Sequence, residues 1–210
     1  MEKKLSKGFY LETEKGGQKY DLETHAVIFD RYQFAASLSK DNKILEVGCG
    51  HGIGLEYLSS KAESVQAIEY SQENIDMINY QNIGSASVTK GDAHNMLFNS
   101  ESFDLVVALA MIYYLSFPKF LEEVHRVLKK DGTLFFCTSN KDVPGFCEAP
   151  YTTKYYSIPE LNSILNKMGF DSEFYGAFPN SKFNLFYRVL YAKSKDFIKY
   201  LFELTKIGRQ

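Results

Sequence analysis

Short apolar runs alternate with amphipathic stretches along the middle of the chain. The runs that predict strands are residues 43–47, 65–70, 86–90, 103–110 and 133–138. The stretches that predict helices are residues 53–60, 72–81 and 118–129, and we expect Asp131-Gly132 to end the last of them. Near-continuous apolar strands separated by helices predict a mostly parallel, doubly wound sheet of about seven strands with helices on both faces. We therefore expect a single-domain α/β fold.

A further amphipathic pattern precedes the alternation. Apolar residues recur at steps of three or four from Leu22 to Leu38, among them Phe29 and Tyr32, and predict a helix laid on the domain. We divide the chain into three parts. They are an N-terminal helical cap (1–41), a core (42–181) and a C-terminal segment packed on the same domain (182–210).

After the fifth predicted strand the pattern changes. Residues 140–156 form a loop rich in tyrosine and proline. Ser157 and Glu160 then have the spacing of a helix capping box, which predicts a helix over 159–168. Residues 173–178 resemble one more strand.

The composition is that of an ordinary globular protein. Hydrophobic residues make up 45% of the 210 residues and charged residues 24%, which argues against a disordered chain. The formal net charge of −2 gives no overall attraction to nucleic acid, so we expect no nucleic-acid partner. The longest apolar run, 105–115, is too short to cross a bilayer as a helix and predicts a buried strand and the turn after it.

The three cysteines, Cys49, Cys137 and Cys147, include no Cys-x-x-Cys pair. This pattern argues against a disulfide framework or a zinc knuckle and favours a reducing cytoplasm. The first residues are charged and no apolar stretch follows them, so we expect no secretory signal. The four histidines are scattered, without a His-x-x-x-His pair, so we predict no metal site.

Residues 182–210 form a basic, aromatic segment. They carry seven Lys and Arg against two Asp and Glu, a net charge of +5, which leaves −7 for residues 1–181. A basic amphipathic helix can lie on an anionic membrane, but we favour packing of its apolar side on the protein's own domain. Residues 185–192 are alternatively a strand of the sheet. The oligomeric state is left open.

A glycine-rich segment, Glu46-Val47-Gly48-Cys49-Gly50-His51-Gly52-Ile53-Gly54, lies between the first predicted strand and the next helix. Glycine lets the main chain approach a ligand without a side-chain clash, so a strand, a glycine loop and a helix predict a cofactor site. A dinucleotide fingerprint requires a third glycine where the chain has Ile53. A nicotinamide-dependent oxidoreductase is therefore the weaker alternative.

Two acidic residues follow the next two predicted strands. Glu69 ends the second strand, where a carboxylate can accept both hydroxyls of a ribose. Asp92 comes directly after the third strand, beside Ala93, and its carboxylate can bind an exocyclic amine. Both positions suit any adenosine-containing cofactor, so by themselves they do not separate the alternatives.

Together these segments resemble the motifs of class I, Rossmann-like S-adenosylmethionine-dependent methyltransferases. The matching segments are 46–54, 68–71, 91–93, 103–107 and 127–134, in the order that the family requires. The resemblance implies S-adenosyl-L-methionine as the cofactor. It implies that Glu46 orders the loop and the amino end of the methionine, and that Gly48 and Gly50 pass under it. By the same resemblance Glu69 holds the ribose and Asp92 the adenine amine, with the main chain of Ala93 beside it.

The flanks are similar to a bacterial subgroup of these enzymes that is often associated with surface-polysaccharide or O-antigen synthesis. The similar segments are 24–35, 155–161 and 174–179. This similarity implies O-methylation of a small-molecule acceptor such as a sugar, a glycan precursor or a nucleotide-sugar. A noncatalytic module that binds S-adenosylmethionine stays open as an alternative. The Asn/Asp-Pro-Pro-aromatic motif of DNA amino-group methyltransferases is absent, since residues 109–112 stand in its place.

The candidate catalytic residues are His25, Tyr113 and Tyr114. The tyrosines follow the fourth predicted strand, at the edge where open parallel sheets bind ligands, and packing in the core or rim is their alternative role. His25 is a candidate general base or part of a lid over the cofactor, and Arg31 a candidate clamp for an acidic acceptor or a structural ion-pair residue. We predict that the acceptor pocket lies between the helix with His25 and Arg31, the Tyr113-Tyr114 turn and the loop 140–156.

Overall fold

The computed structural model describes residues 22–78, 83–142, 146 and 148–175. The strands are β1 (Lys43–Val47), β2 (Ser64–Glu69), β3 (Ser87–Lys90), β4 (Phe103–Leu109) and β5 (Leu128–Cys137). The helices are α1 (Leu22–Ser37), α2 (Leu55–Ser59), α3 (Gln72–Ile78), α4 (Phe117–Val127) and α5 (Ile158–Lys167). A short 3-10 turn (Ile112–Tyr114) connects β4 to α4. Each described strand therefore corresponds to one that the apolar pattern predicts.

The five strands form one sheet in the order β3-β2-β1-β4-β5, and every pairing is parallel. β1 lies in the middle, with Ile44 beside Val65 of β2 on one side and Leu105 of β4 on the other. The chain thus winds outward from β1 in both directions. In such sheets the crevice at the carboxyl ends of the central strands receives the ligand. The glycine loop and the turn after β4 lie at those ends.

Helices cover both faces of the sheet. Leu45 and Val106 belong to a buried cluster that includes residues of α4 and α5. The alternate residues Ile44 and Leu105 belong to a second cluster, with residues of α1, α2 and α3. Since neighbouring strand residues point to opposite faces, this division confirms the predicted doubly wound α/β fold.

The passage from α4 to β5 differs from the prediction. The helix ends at Val127 and the strand begins at once, so Asp131-Gly132 lies inside β5 and does not end the helix. Asp131 has a φ of +64°, and the pairing of β4 with β5 shifts register at this point. A Cβ on Gly132 would lie 2.9 Å from the carbonyl oxygen of Lys129. The pair therefore forms an irregularity in β5, the last strand of the sheet among the described residues, and turn residues also favour such irregularities.

Other predicted elements are close to those observed. α2 begins two residues later than predicted, after the glycine loop has closed. The capping box is confirmed, because Ser157 Oγ accepts from the Glu160 main-chain N–H and Glu160 accepts from that of Ser157. In the predicted strand at 173–178, the described residues 173–175 are not in a strand. Phe29 is 54% exposed and contacts the ring of Tyr57, so it does not belong to the buried face of α1.

Parts of the predicted division lie outside the described residues, namely 1–21 of the cap and all of 182–210. Cys147 and residues 176–178 also lie outside them. Among the helices that the structure does describe, none is long and apolar enough to span a membrane. The division itself stays a prediction.

Candidate active site

The glycine loop runs from the end of β1 to the start of α2. Gly48, Gly50 and Gly52 all have positive φ values, of +72°, +58° and +82°. A Cβ added to Gly50 would find no atom within 4 Å, so this residue borders open space. A Cβ added to Gly54 would lie 1.9 Å from the ring of Tyr32. The loop therefore uses glycine for two purposes, an open surface at Gly50 and the close passage of an aromatic ring at Gly54.

Glu46 lies buried beneath this loop, near the end of β1, with only 1% of its surface exposed. Its Oε1 accepts a hydrogen bond of 2.6 Å from the Tyr32 hydroxyl. Its Oε2 is buried and has no hydrogen-bond partner among the described residues. Burial raises the pKa of Glu46 to about 7; the bond from Tyr32 opposes this rise and the charge of Glu69 adds to it. An unpartnered buried carboxylate oxygen is costly, which indicates a donor or cation that binds there.

Glu69, at the end of β2, binds the main chain of the glycine loop and of the segment that follows β2. Its Oε2 accepts from the main-chain N–H of Gly50 at 2.9 Å, and its Oε1 accepts from that of Ser71 at 2.8 Å. The Asn74 side chain adds a longer bond to Oε1 at 3.4 Å. A carboxylate has about four lone-pair positions, so these three bonds leave one position free. A second ribose hydroxyl could bind Glu69 by displacing the longer bond from Asn74. The predicted ligand residue thus also holds the loop in shape.

Asp92 lies in the loop after β3, with half of its side chain exposed. Its Oδ1 accepts from the main-chain N–H of His94 at 2.8 Å and lies 3.1 Å from His94 Nδ1. His94 Nε2 in turn accepts from the main-chain N–H of Ser116 at 3.0 Å, just before α4. The histidine therefore links the loop after β3 to the segment after β4. The neighbouring Ala93 is partly buried against the first core cluster.

The turn after β4 carries the two predicted tyrosines. Tyr113 is buried and stacks on Tyr155 with ring centroids 4.7 Å apart, and Tyr114 lies 4.7 Å from Tyr113 at a steep angle. The Tyr113 carbonyl accepts from the main-chain N–H of Thr153 at 2.6 Å. The loop 140–156 is thereby fixed onto the turn, and two of the three predicted sides of the acceptor pocket do meet.

The third side, α1, is described in part. His25 lies within α1, but its side chain lies outside the described part of the chain. Arg31 is half-buried. Its Nε is inaccessible to solvent and has no hydrogen-bond partner among the described residues. Burial raises the pKa of the Cys137 thiol, and the positive charge of Arg31 opposes that rise. Arg31 therefore lies near the carboxyl end of β5, where Cys137 is the last residue.

The charges of this crevice suit a ligand with a cationic end and an adenosine end. Glu46 offers an unpartnered buried oxygen, Glu69 offers remaining lone pairs, and Gly50 borders open space. A dinucleotide would instead bring phosphates to the glycine loop, where negative charge on the buried Glu46 would repel them. Among the described residues, no group of three or more His, Cys, Asp or Glu could hold a metal ion.

Comparisons with known proteins agree with this geometry. Residues 45–136 match the family model of the methyltransferase domain. Solved structures of S-adenosylmethionine-dependent methyltransferases are similar to the chain as well. A structure of such a methyltransferase from Aquifex aeolicus superposes with a TM-score of 0.61 at 23% identity, over 74% of this chain and 92% of that chain. This likeness shows the fold.

Two of the curated methyltransferases that match the chain each cover about half of it. One is a phthiotriol/phenolphthiotriol dimycocerosates methyltransferase of Mycobacterium leprae, 34% identical over 116 residues, which are 53% of this chain and 43% of that protein. The other is a fatty-acid O-methyltransferase of Mycolicibacterium smegmatis, 34% identical over 111 residues, 49% of this chain and 39% of that protein. The chain thus spans less than half the length of either relative.

The comparisons bear out the predicted fold class, enzyme class and cofactor. The predicted association with surface polysaccharides finds no support in them, because the named substrates are a dimycocerosate and a fatty acid. They do not test the individual site residues, which stay predictions.

The sequence did not identify the contacts of two residues that the structure brings into the candidate site. Tyr32 was predicted only as part of the apolar face of α1, yet its hydroxyl binds Glu46. His94 bridges Asp92 and the segment before α4. The one available signal for His94 was its spacing, two residues after an acidic residue in a turn. For Tyr32 the sequence offered none, because its partner lies 14 positions away.

Proposed function

We propose that this chain moves the methyl group of S-adenosylmethionine to an oxygen atom of a small acceptor with a lipid-like body. One observation supports the choice of cofactor. Glu46 Oε2 is a buried carboxylate oxygen that has no hydrogen-bond partner among the described residues, and it lies beneath a glycine loop that is open at Gly50. A cationic amino group is the ligand that such an oxygen binds best.

The described side chains offer one position for each part of the cofactor. Glu46 takes the amino group of the methionine, and the loop at Gly48 and Gly50 passes beside the methionine chain. Glu69 accepts the ribose hydroxyls with the lone pairs that its main-chain bonds leave. Asp92 accepts from the adenine amine, with the main chain of Ala93 alongside.

When bound, S-adenosylmethionine supplies an electrophilic methyl group on a sulfonium sulfur, and transfer leaves a neutral thioether. The protein has to place the acceptor oxygen in line and exclude water. A carboxylate acceptor has no proton to lose at neutral pH, whereas a hydroxyl acceptor needs a base. His25, Tyr113 and Tyr114 are our candidates for that base or for orienting the acceptor. An unshifted tyrosine, with a pKa near about 10, suits the orienting role better.

The acceptor end favours an apolar ligand. Tyr113, Tyr155 and Ala149 form a buried cluster, against which Phe146 and Ala110 pack. Both curated relatives are named for lipid substrates, a dimycocerosate and a fatty acid. We place the acceptor pocket between α1, the turn at Ile112–Tyr114 and the loop 140–156. The half-buried Arg31 would then hold an acceptor carboxylate at its edge.

A sugar or nucleotide-sugar is the second candidate acceptor. The loop 140–156 carries Tyr151, which is 77% exposed, and sugar rings pack on flat aromatic surfaces of this kind. The resemblance of the flanks to the polysaccharide-associated subgroup supports it, and the named relatives do not.

Cofactor binding and transfer are tested separately. Thermal shift with S-adenosylhomocysteine and with NAD tests the cofactor, since a ligand of the native state raises its stability. Stabilisation by NAD alone would contradict the proposal. Mass spectrometry then follows the gain of one methyl group on a fatty acid, a long-chain alcohol and a nucleotide-sugar. Methylation of the nucleotide-sugar alone would replace the lipid acceptor by the second candidate. Binding without transfer to any acceptor would favour the noncatalytic module.

A further inference from the structure

We infer that Tyr32 is a positioning residue of the cofactor site, which couples the docking of α1 to the capture of a cationic ligand by Glu46. The inference rests on the proposed function, because it takes the amino group of S-adenosylmethionine as that ligand. Tyr32 lies in none of the segments that resemble the family's cofactor motifs, and its position on α1 is 14 residues before Glu46.

The geometry ties α1 to the glycine loop at two points. The Tyr32 hydroxyl donates to Glu46 Oε1 at 2.6 Å, and both side chains are buried. The ring of Tyr32 lies so close to Gly54 that any Cβ there would overlap it at 1.9 Å. Glycine at position 54 is thus the residue that admits the ring. The phenol therefore reaches the carboxylate by passing over the end of the loop.

The hydrogen bond from Tyr32 gives the two carboxylate oxygens of Glu46 different roles. Tyr32 occupies Oε1, and among the described residues Oε2 has no partner. One oxygen is therefore oriented by the protein and the other is presented to a ligand. Without the phenol, both oxygens would lack a donor in a buried site, and the carboxyl group would be free to rotate or to take up a proton.

The charged and titratable groups around Tyr32 and Glu46 are consistent with these different roles of the two carboxylate oxygens. Burial and the charge of Glu46 raise the pKa of Tyr32, so its hydroxyl stays a donor at neutral pH. Glu69 on β2 raises the pKa of Glu46, and Cys49 in the loop is itself kept as a thiol by burial. Arg31 on α1 acts on Tyr32 in the opposite direction. Tyr32 is therefore the group that favours the carboxylate form of Glu46.

The remainder of α1 is held by apolar packing. Ala35 and Ala36 are buried in the same cluster as Leu55 and Leu58 of α2. This packing places α1 on the sheet, and the Tyr32 hydroxyl adds the polar contact to the site. Loss of the hydroxyl should therefore weaken cofactor binding while the packing of α1 survives.

The test is Tyr32→Phe, measured by calorimetry with S-adenosylhomocysteine on the full chain. A hydrogen bond to a charged group is worth about 1.5–3 kcal/mol, so we expect at least about tenfold weaker binding at neutral pH. We also expect the pH at which affinity falls to move upward, because Glu46 loses the bond that favours its ionised form. The matched control is Tyr57→Phe, a half-buried tyrosine on the adjacent α2, which should bind normally.

A double-mutant comparison separates positioning from packing. In a Glu46→Gln background, Tyr32→Phe should cause no further loss of affinity, since the carboxylate on which it acts is gone. Equal losses in both backgrounds would overturn the inference, and so would normal binding and an unshifted pH profile in Tyr32→Phe. If the wild type itself does not bind S-adenosylhomocysteine, the proposed function fails first.

A measurement on the unmodified protein covers the case in which Tyr32→Phe does not fold. If α1 and Glu46 are coupled, S-adenosylhomocysteine should slow amide hydrogen exchange in α1 as well as in the glycine loop. Protection that is confined to the loop would show that α1 does not take part.

Discussion

At the carboxyl ends of β1 and β2 the site is built largely from main chain and buried carboxylates, whereas at the carboxyl ends of β4 and β5 it is built from aromatic side chains. In the first region, Glu69 receives the N–H groups of Gly50 and Ser71, and Glu46 lies under the loop. In the second, Tyr113 stacks on Tyr155. Charge and hydrogen bonds hold the first region together, and ring packing holds the second.

The two regions also differ in the distance along the chain between their partners. Glu69 is bonded to residues 2 and 19 positions away, while the bond from Thr153 Oγ1 to the Tyr114 carbonyl joins residues 39 positions apart. Contacts between residues that are close along the chain are typical of a motif that many chains share. The acceptor region is held by contacts between distant segments. It can therefore change through its loops while the cofactor region and the fold stay the same.

The largest effect should come from Gly50→Ala. The residue has a φ of +58° and open space beside it, so a methyl group would enter the volume that we assign to the methionine chain. We expect more than about a hundredfold loss of affinity for S-adenosylhomocysteine, from overlap worth roughly 3 kcal/mol or more. Calorimetry measures it directly.

Gly169→Ala is the matched control for this change. Gly169 follows α5, has a φ of +83° and likewise has no atom within 4 Å of an added Cβ. Both variants should lose about 1–2 kcal/mol of stability, because left-handed backbone is unfavourable for alanine. If both bind equally well, Gly50 does not border the cofactor.

Glu46→Gln should change how stability depends on pH in the absence of ligand. Glu46 has a folded-state pKa of about 7, raised mainly by burial above 4.5, so the folded state prefers its protonated form. The contribution of Glu46 is fully present below pH 4.5 and is lost as pH rises through 7. Relative to Glu46→Gln, the wild type should lose on the order of 3 kcal/mol over this range.

Denaturant titrations at about pH 5 and about pH 8 measure the difference in the free energy of unfolding. The glutamine variant should be the more stable protein at the higher pH and bind S-adenosylhomocysteine more weakly. Parallel pH profiles for the two proteins would remove Glu46 from this role.

Glu69→Ala should weaken binding by about ten- to hundredfold, since a charge-assisted hydrogen bond is worth on the order of 1.5–3 kcal/mol. Part of this loss should come from the loop, because Gly50 and Ser71 lose their acceptor. Glu63→Ala, which removes an exposed partner of Lys43, is the control and should leave affinity unchanged. Unchanged calorimetric affinity in Glu69→Ala would refute the ribose assignment.

The strand and the glycine loop of the candidate cofactor region could be predicted from the sequence because their signals are local. The apolar run that ends at Val47 and the glycines after it identify a strand and a loop that follow each other directly along the chain. The same locality explains the capping box at Ser157, whose partner is three residues away.

Predictions from the sequence were wrong where contacts between distant segments determine the local structure. Asp131-Gly132 resembles a helix stop, but pairing of β5 with β4 takes up the residues after Val127 and leaves that pair as an irregularity in the strand. Phe29 fits the helical pattern of α1, yet the sheet is covered by Tyr32, Ala35 and Ala36 instead. A helical pattern identifies an apolar stripe but not its angular limits.

The smallest effects should come from the acceptor region, where His25→Ala and Tyr114→Phe should lower turnover while affinity for S-adenosylhomocysteine stays nearly normal. A neutral hydrogen bond is worth about 0.5–1.5 kcal/mol, so removal of the Tyr114 hydroxyl should cost about two- to tenfold in turnover. His25→Ala should cost more with a hydroxyl acceptor than with a fatty acid, because only the hydroxyl needs a base. Tyr57→Phe serves again as the control. Turnover at saturating acceptor, compared between the two acceptor classes, makes the measurement. Normal turnover in both variants would place the acting groups elsewhere and leave the cofactor region as the only part of the site with assigned residues.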